Sequence, residues 1–413
     1  MSDSITVRPL AISKADFESF AHVQSVCFGV DEKEAYNTLM DNPRYNTSHV
    51  VATEMNGKLI GTAIMFPAKL WLSGVPLDIG AIAGLGVLPD YRRQGAASQM
   101  MELLVKKSAE KGYAFASLFP ASPRYYQQFG FGVVGDLHVY RLTPQNIMDF
   151  EEKSMVRDFD EADLRMMRVM YKGQMTWHNG WLSRSDEWWD KIIAKWPKIV
   201  VFDNDGMIDG YLAYETVTNE QGKTVLKVKE FFAAEGEAFR GLIGYMSSKT
   251  DVDIIEYLAP PDTPLKHSLH QPRTIDEVDR GNGYGFNFYD LSHVTVGPMA
   301  RITTLHTALT KRFYARHMQG QRIIKLTDPF IPENESAVIF RLVDGRAESK
   351  IAPPNKTPQI ETDIGTFTQI LAGYLPAIDA QRLGLLKANE DTCSWLDKAI
   401  ADSPLYIQSG DWF

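Results

Sequence analysis

Apolar and polar positions along this chain fall into strand-like and helix-like periods that alternate almost to its end. Residues 5–10 read as a short strand, and Ser13 with Asp16 supplies an N-cap and an N3 acid for a following helix. Along that helix Phe17, Phe20, Val23 and Val26 recur every third residue, a stripe ending near Gly29. Asn56-Gly57 separates two apolar runs and predicts a hairpin. A further strand over 77–88 leads into a helix that carries Ala97, Met100, Met101 and Leu104 on one face and stops at Gly112, before a strand over 114–119. Strand, helix, hairpin, strand, turn, helix, strand is the order of a mixed sheet flanked by helices.

Part of this order returns. Asn56-Gly57-Lys58-Leu59-Ile60-Gly61 is echoed by Asp205-Gly206-Met207-Ile208-Asp209-Gly210, each after a Val-Val strand, Val50-Val51 and Val200-Val201. A strand over 225–233 then meets a helix over 239–246. From residue 298 the pattern departs from both copies: a helix over 301–312, a strand over 336–342 ending in the Asp344-Gly345 turn, and Thr362 or Asp363 capping a helix through Phe367, Ile370, Leu371 and Tyr374. That is the pattern of a small α+β domain, with Pro353, Pro354 and Pro358 in a loop.

The junction before the helix of the first copy carries the chemistry. In Arg92-Arg93-Gln94-Gly95-Ala96-Ala97, Gly95 and the two alanines let backbone approach an anion, the first helical turn leaves N–H groups free, and the arginines add counter-charge. This resembles the Arg/Gln-x-x-Gly-x-Gly/Ala signature of the GNAT superfamily of N-acetyltransferases, with Arg92, Gly95 and Ala97 at its defining positions. A second family-like landmark follows. Tyr126 stands before Phe129-Gly130-Phe131, where such enzymes place a tyrosine that protonates the departing thiolate. The resemblance gives Tyr125 no such role. The second copy keeps none of this: its junction reads Glu235-Gly236-Glu237, acids where an anion site needs N–H groups and arginines.

Composition adds bounds. At about 150 residues per domain, 413 residues suggest three. A net charge of −9 argues against a nucleic-acid surface and is compatible with a cationic substrate. Cys27 and Cys393 have neither disulfide-framework nor zinc spacing and read as buried thiols; His267 and His270 lack a third ligand, so no metal is expected. No apolar run has membrane-spanning length and residues 1–17 hold no signal region, which predicts a cytoplasmic protein without a membrane partner. Trp177, Trp181, Trp188, Trp189 and Trp196 are spaced for core packing of a helix, with one or two rings at a groove rim.

Taken over its whole length, down to Ser409-Gly410-Asp411-Trp412-Phe413, the chain resembles the enhanced intracellular survival (Eis) family. That resemblance implies an α/β and α+β architecture: a GNAT domain with the acetyl-CoA site over 1–144, a degenerate GNAT-like domain over 145–297, and a sterol-carrier-like domain over 298–413 that donates its C-terminus to the active site. It implies cofactor contacts at Leu85, Gly86 and Val87, at Arg93, Gln94, Gly95, Ala96, Ala97 and Ser98, and at Ala121 and Ser122. Tyr126 would be the general acid and the Phe413 carboxylate the general base, with the N–H near Val87 facing the thioester oxygen. It further implies amine acceptors such as aminoglycosides and a homo-oligomer, a hexamer. A protein lysine or a polyamine is the alternative acceptor; a lipid-binding protein and an acetyl-CoA sensor are the readings from other classes. Asp411 with Asp31, Glu32 and Glu34 is the acidic set that would attract a polycation.

Overall fold

The computed structural model describes residues 5–275, 289–400 and 405–413. Its strands form three sheets. The first runs β1-β2-β3-β4-β5-β14-β6, from β1 (Ile5–Pro9), β2 (Val50–Met55), β3 (Lys58–Leu72), β4 (Val75–Val87), β5 (Phe115–Leu118), β6 (Gly132–Val133) and β14 (Met299–Ile302). The second runs β13-β7-β12-β11-β10-β9-β8, from β7 (Asp136–Leu142), β8 (Val156–Asp158), β9 (Lys198–Asn204), β10 (Met207–Thr218), β11 (Thr224–Ala233), β12 (Ile254–Ala259) and β13 (His293–Val296). The third, β17-β16-β15-β18-β19, uses β15 (Gly320–Thr327), β16 (Val338–Val343), β17 (Arg346–Ile351), β18 (Ile360–Asp363) and β19 (Leu386–Lys387).

Helices α1 (Lys14–Phe28), α2 (Glu32–Asp41), α3 (Ala96–Glu110) and α4 (Pro123–Gln127) belong to the first copy. α5 (Leu164–Gln174), α6 (Asp186–Lys195) and α7 (Gly236–Ser247) belong to the second, and α8 (Leu305–Thr310), α9 (Ile364–Leu371), α10 (Ala377–Arg382) and α11 (Glu390–Ala399) to the last part.

Local signals set these elements where the sequence places them. Asn56 and Gly57 (φ 52° and 75°), Asp205 and Gly206 (52° and 88°), and Asp344 and Gly345 (50° and 73°) all take the left-handed pair that two-residue hairpin turns require. Ser13 accepts the Asp16 N–H, and Gly29 closes α1 at φ 71°. Phe17, Phe20 and Val23 are buried, but Val26 is 44% exposed. A three-residue spacing slips about 60° per step on a helix, so by Val26 the stripe has rotated away from the sheet.

Long-range pairing departs from the sequence reading. Residues 301–312 are not one helix: Met299–Ile302 is buried strand β14, wedged antiparallel between β5 and β6, and only Leu305–Thr310 is helical. β7, expected to end the first unit, pairs with β12 and β13 in the second sheet. The chain therefore crosses between the first and second sheets twice, at 134–136 and at 297–299. The first and second units are also tied by backbone bonds from Trp71 N to Trp181 O (2.8 Å) and from Gly180 N to Trp71 O (2.7 Å). One continuous core joins Leu72, Ile79 and Phe115 of the first sheet to Ile324, Phe367 and Leu396 of the third unit.

Candidate active site

β4 and β5 run parallel only from Ile79–Ala81 against Phe115–Ser117. Beyond that they part, and the gap opens into a cleft of about 560 Å³. One wall is the end of β4, Leu85, Gly86 and Val87, bent by a register shift against β3 and by Gly84 at φ 58°. Gln24 Nε2 holds that bend by donating to Gly84 O (2.9 Å) and Thr62 Oγ1 (2.8 Å).

The floor is the start of α3. Gly95 is its N-cap at φ 91° with no side chain to cap it, so among the described residues the first N–H groups have no side-chain cap, and they start the helix at the cleft lined by Ala96, Ala97 and Ser98. A β-carbon at Gly95 would meet nothing within 4 Å, which leaves the turn open to a ligand. Arg93, a non-glycine residue at φ 63°, and Arg92 both line it; Arg92 Nε donates to Val87 O (3.0 Å), tying the turn to the strand. Gln94 differs from the expectation. Its side chain turns back to Asp90 O (3.4 Å) and lies outside the lining.

The far wall holds Ala121, Ser122, Tyr125 and Tyr126. Tyr126 is 8% exposed, and burial, with Tyr125 beside it, pushes its phenol up to about 12, so it stays protonated at neutral pH. The Tyr125 ring stands edge-on to Tyr126 at 5.1 Å and is part of the same wall. Cys27, expected in the core, is half-buried at this cleft, where burial pushes its thiol up. Its position follows from the side chain meeting glycine: a β-carbon on Gly86 would sit 3.0 Å from Cys27.

Phe413 does not line this cleft. Its ring packs edge-on against Phe66 of β3 (5.7 Å) and against Phe119 (5.8 Å), the residue that follows β5. Trp412 lies 5.3 Å from Phe119 and donates its Nε1–H to Ile407 O (2.9 Å). Arg44 Nη1 donates to Asp411 O (3.0 Å), and Arg44 stacks over Trp188 at 3.7 Å. The tail is therefore anchored.

Asp411 is not available to a polycation. It is 1% exposed and bound by Arg184 Nε, Tyr171 Oη and Trp188 Nε1. Among the expected acids, Asp31 caps α2, Glu32 pairs with His22 at 2.8 Å, and Asp31 and Glu34 line a separate cavity of about 390 Å³ next to Trp188. That lining also holds Lys33, Lys191 and Lys195, so its charge does not by itself select a polycation. The tryptophans belong to several elements: Trp181, Trp188 and Trp189 are buried, and Trp177 is 78% exposed. His267 and His270 are exposed, and no metal-competent group of His, Cys, Asp or Glu exists among the described residues. No described helix is long and apolar enough to cross a membrane.

A strand splay, a glycine-started uncapped helix and a tyrosine opposite define a cleft of GNAT type. Comparison with known proteins agrees: profiles described as acetyltransferase (GNAT) domains match residues 7–134 and 180–302, and a sterol carrier protein domain matches 305–408. The chain belongs to the GNAT superfamily, and in its two GNAT domains followed by a sterol-carrier domain it is similar to N-acetyltransferases named Eis. N-acetyltransferase Eis of Mycobacterium tuberculosis is 23% identical over 335 residues, 76% of each chain. An uncharacterized N-acetyltransferase of Streptomyces griseus is 27% identical over 57% of this chain, and the match spans 62% of that relative's length. One from Streptomyces avermitilis is 22% identical over 99% of this chain and 98% of its own. Among solved structures, a GCN5-related N-acetyltransferase from Anabaena variabilis superposes with a TM-score of 0.85 at 15% identity, and Eis1 from Mycobacterium abscessus with 0.77 at 20%; each match covers 99% of this chain and 100% of the other. These likenesses fix the fold.

Proposed function

We propose that this protein is an acetyl-CoA-dependent N-acetyltransferase acting on the amino groups of a cationic small molecule such as an aminoglycoside. The observation that carries the reading is the uncapped start of α3 facing Tyr126 across one cleft. Free N–H groups, Arg92 and Arg93 suit a pyrophosphate, and the diverging strand end at Leu85, Gly86 and Val87 suits an extended pantetheine arm. Bound acetyl-CoA supplies the thioester whose acyl carbon accepts the amine.

The chain's own groups then have three tasks. The Phe413 carboxylate takes a proton from the incoming ammonium, directly or through water, and passes it to solvent; the nitrogen's second proton leaves to solvent as the adduct collapses to the amide. The N–H of Val87 stabilises the oxyanion as the C–N bond forms. Tyr126, kept protonated by its burial, gives its proton to sulfur as the C–S bond breaks and regains one from solvent. The products are an acetamide, coenzyme A thiol and one proton. No covalent enzyme intermediate is needed.

By family resemblance the protein is a cytoplasmic homohexamer, which light scattering on eluting protein tests. The activity test is release of coenzyme A thiol from acetyl-CoA over a panel of aminoglycosides, polyamines and lysine peptides. Turnover on the first supports the reading, and turnover only on the others replaces the acceptor. Silence over the panel with acetyl-CoA bound overturns these acceptors in favour of an amine outside the panel or of a sensor.

A further inference from the structure

The second GNAT-like domain has a strand splay of its own. β11 and β12 run parallel over Val225–Val228 against Ile254–Tyr257 and then part, as β4 and β5 do in the first domain. The helix beyond, α7, starts at Glu235-Gly236-Glu237, and the one arginine near that start, Arg240, is already paired with Glu152 (2.6 Å), so the gap disfavours a pyrophosphate. What lies in it is the chain's own C-terminal segment. Tyr406 donates its hydroxyl to Leu258 O (3.1 Å) and its N–H to Asn179 O (3.0 Å), and Gly410 N donates to Glu230 Oε2 (3.1 Å) on β11. Tyr406 and Gln408 line a cavity of about 200 Å³ there, beside Phe231, Phe232 and Tyr257.

A buried ionic latch closes over this segment. Arg184 grips Glu230 with both terminal nitrogens (2.9 and 2.7 Å) and Asp411 through Nε (3.0 Å), and all three side chains are at most 1% exposed. Tyr211 Oη adds a bond to Glu230 (2.6 Å); Tyr171 Oη (3.1 Å) and Trp188 Nε1 (2.9 Å) add bonds to Asp411. Burial opposes the guanidinium charge, but the two carboxylates together hold Arg184 well above its ordinary range, so the guanidinium stays charged at any working pH. Such a fully satisfied network fixes geometry more than it adds stability. Phe413 lies only two residues beyond Asp411, at most about 7 Å of chain. Arg44 on the Asp411 carbonyl and the Phe66 and Phe119 rings on Phe413 remove much of the remaining freedom.

We propose that the second domain is a positioning clamp: its vacated cofactor splay holds the C-terminal segment, and Arg184, acting through Asp411, sets where the Phe413 carboxylate sits. The clamp rests on the reading of Phe413 as the general base, so the test has one arm that depends on that reading and one that does not. In full-length protein, carboxypeptidase A digestion reports docking alone. Wild type resists, while Arg184→Met and the isosteric Asp411→Asn release phenylalanine about tenfold faster or more. Steady-state acetyl transfer reports positioning. Both variants lose about 100-fold in kcat, the cost of misplacing a reacting group by about an ångström. The KM for acetyl-CoA moves by less than about twofold, because that cleft is untouched.

In a chain lacking Phe413, Arg184→Met adds no further loss in kcat. Should Arg184→Met fail to fold, Asp411→Asn carries both arms. The clamp is overturned if wild type loses Phe413 as readily as an unstructured peptide does, or if Arg184→Met costs the same factor with and without Phe413. If deleting Phe413 leaves kcat unchanged, the base reading falls and takes the catalytic half of the clamp with it; protection from the exopeptidase then decides the docking half alone.

Discussion

Replacing Tyr126 by phenylalanine removes one oxygen and little else. The ring keeps its edge-on contacts with Tyr125 (5.1 Å) and Phe131 (6.3 Å) and its place in the core under α3, and no hydrogen bond from its hydroxyl to another described residue helps hold the fold. The loss therefore falls on proton transfer to sulfur. A positioned general acid contributes about 10² to 10⁴ in rate, or about 3–5 kcal/mol of barrier at 1.36 kcal/mol per decade. With the phenol at about 12, only about one molecule in 10⁴ is ionised at pH 8, so the acid is loaded across the neutral range. Tyr126→Phe should lower kcat for thiol release by 10² or more, leave acetyl-CoA affinity by calorimetry unchanged, and leave the melting temperature within a few degrees. Wild type should show no alkaline fall in kcat from this group below about pH 11. A kcat reduced by less than about fivefold in single-turnover transfer would refute the assignment.

Other perturbations test the scaffold. Gly95→Ala puts a β-carbon into open space but at φ 91°, so its cost is conformational, about 1–2 kcal/mol, and acetyl-CoA should bind about 5–30-fold more weakly by calorimetry; unchanged affinity would remove Gly95 from the site. Arg301→Met leaves the Asp328 carboxylate buried without its cation and should destabilise by about 3–5 kcal/mol in urea, with Asp328→Asn in the same chain restoring part of that, since its Oδ1 still accepts from Phe330 and Ile331. Additive losses would refute the ion-pair argument. Burial raises Tyr126, Tyr171, Tyr211 and Tyr257, so the folded state keeps phenolic protons that the unfolded chain gives up near pH 10. Their contribution is complete below pH 10 and is lost as pH rises through the folded values, so urea midpoints should drop from pH 10 upward, and a flat profile to pH 11 would contradict it.

What the sequence discloses here is local. Asn56-Gly57 and Asp205-Gly206 dictate their turns through left-handed φ values that few other pairs tolerate, and Gly95 marks a helix start at which no side chain is available to cap the N–H groups. The residues around the cleft are legible for that reason: Arg92, Gly95, Ala97 and Tyr126 lie within one strand-turn-helix-strand unit and its following helix. Arg301 was opaque. Its strand is decided by pairing with Phe115–Leu118 and by Asp328, both distant in sequence, and an isolated four-residue run carries no period to reveal it. Asp411 failed for a related reason. An aspartate beside Gly410 near a terminus looks solvated until Arg184 and Glu230 arrive from another domain. Cys27 is placed at the cleft by Gly86, whose missing side chain makes room for it.

A splay between parallel strands is a site for any extended chain with donors and acceptors, and the helix start beside it decides which kind. With Arg92, Arg93 and bare N–H groups at α3, the first splay favours a phosphorylated arm; with Glu235 and Glu237 at α7, the second favours a segment without phosphate. A peptide segment meets that condition, and its N–H groups find Asn179 O and Glu230. The first domain also takes strand β14 between β5 and β6, and Arg301 on that strand donates to Phe129 O (2.6 Å), fixing the turn just after Tyr126. A fragment ending near residue 144 would hold Arg92, Gly95 and Tyr126 but neither β14 nor the tail. Its β5 edge would be unpaired and the Tyr126 turn unbraced, so the cleft is a property of the whole chain.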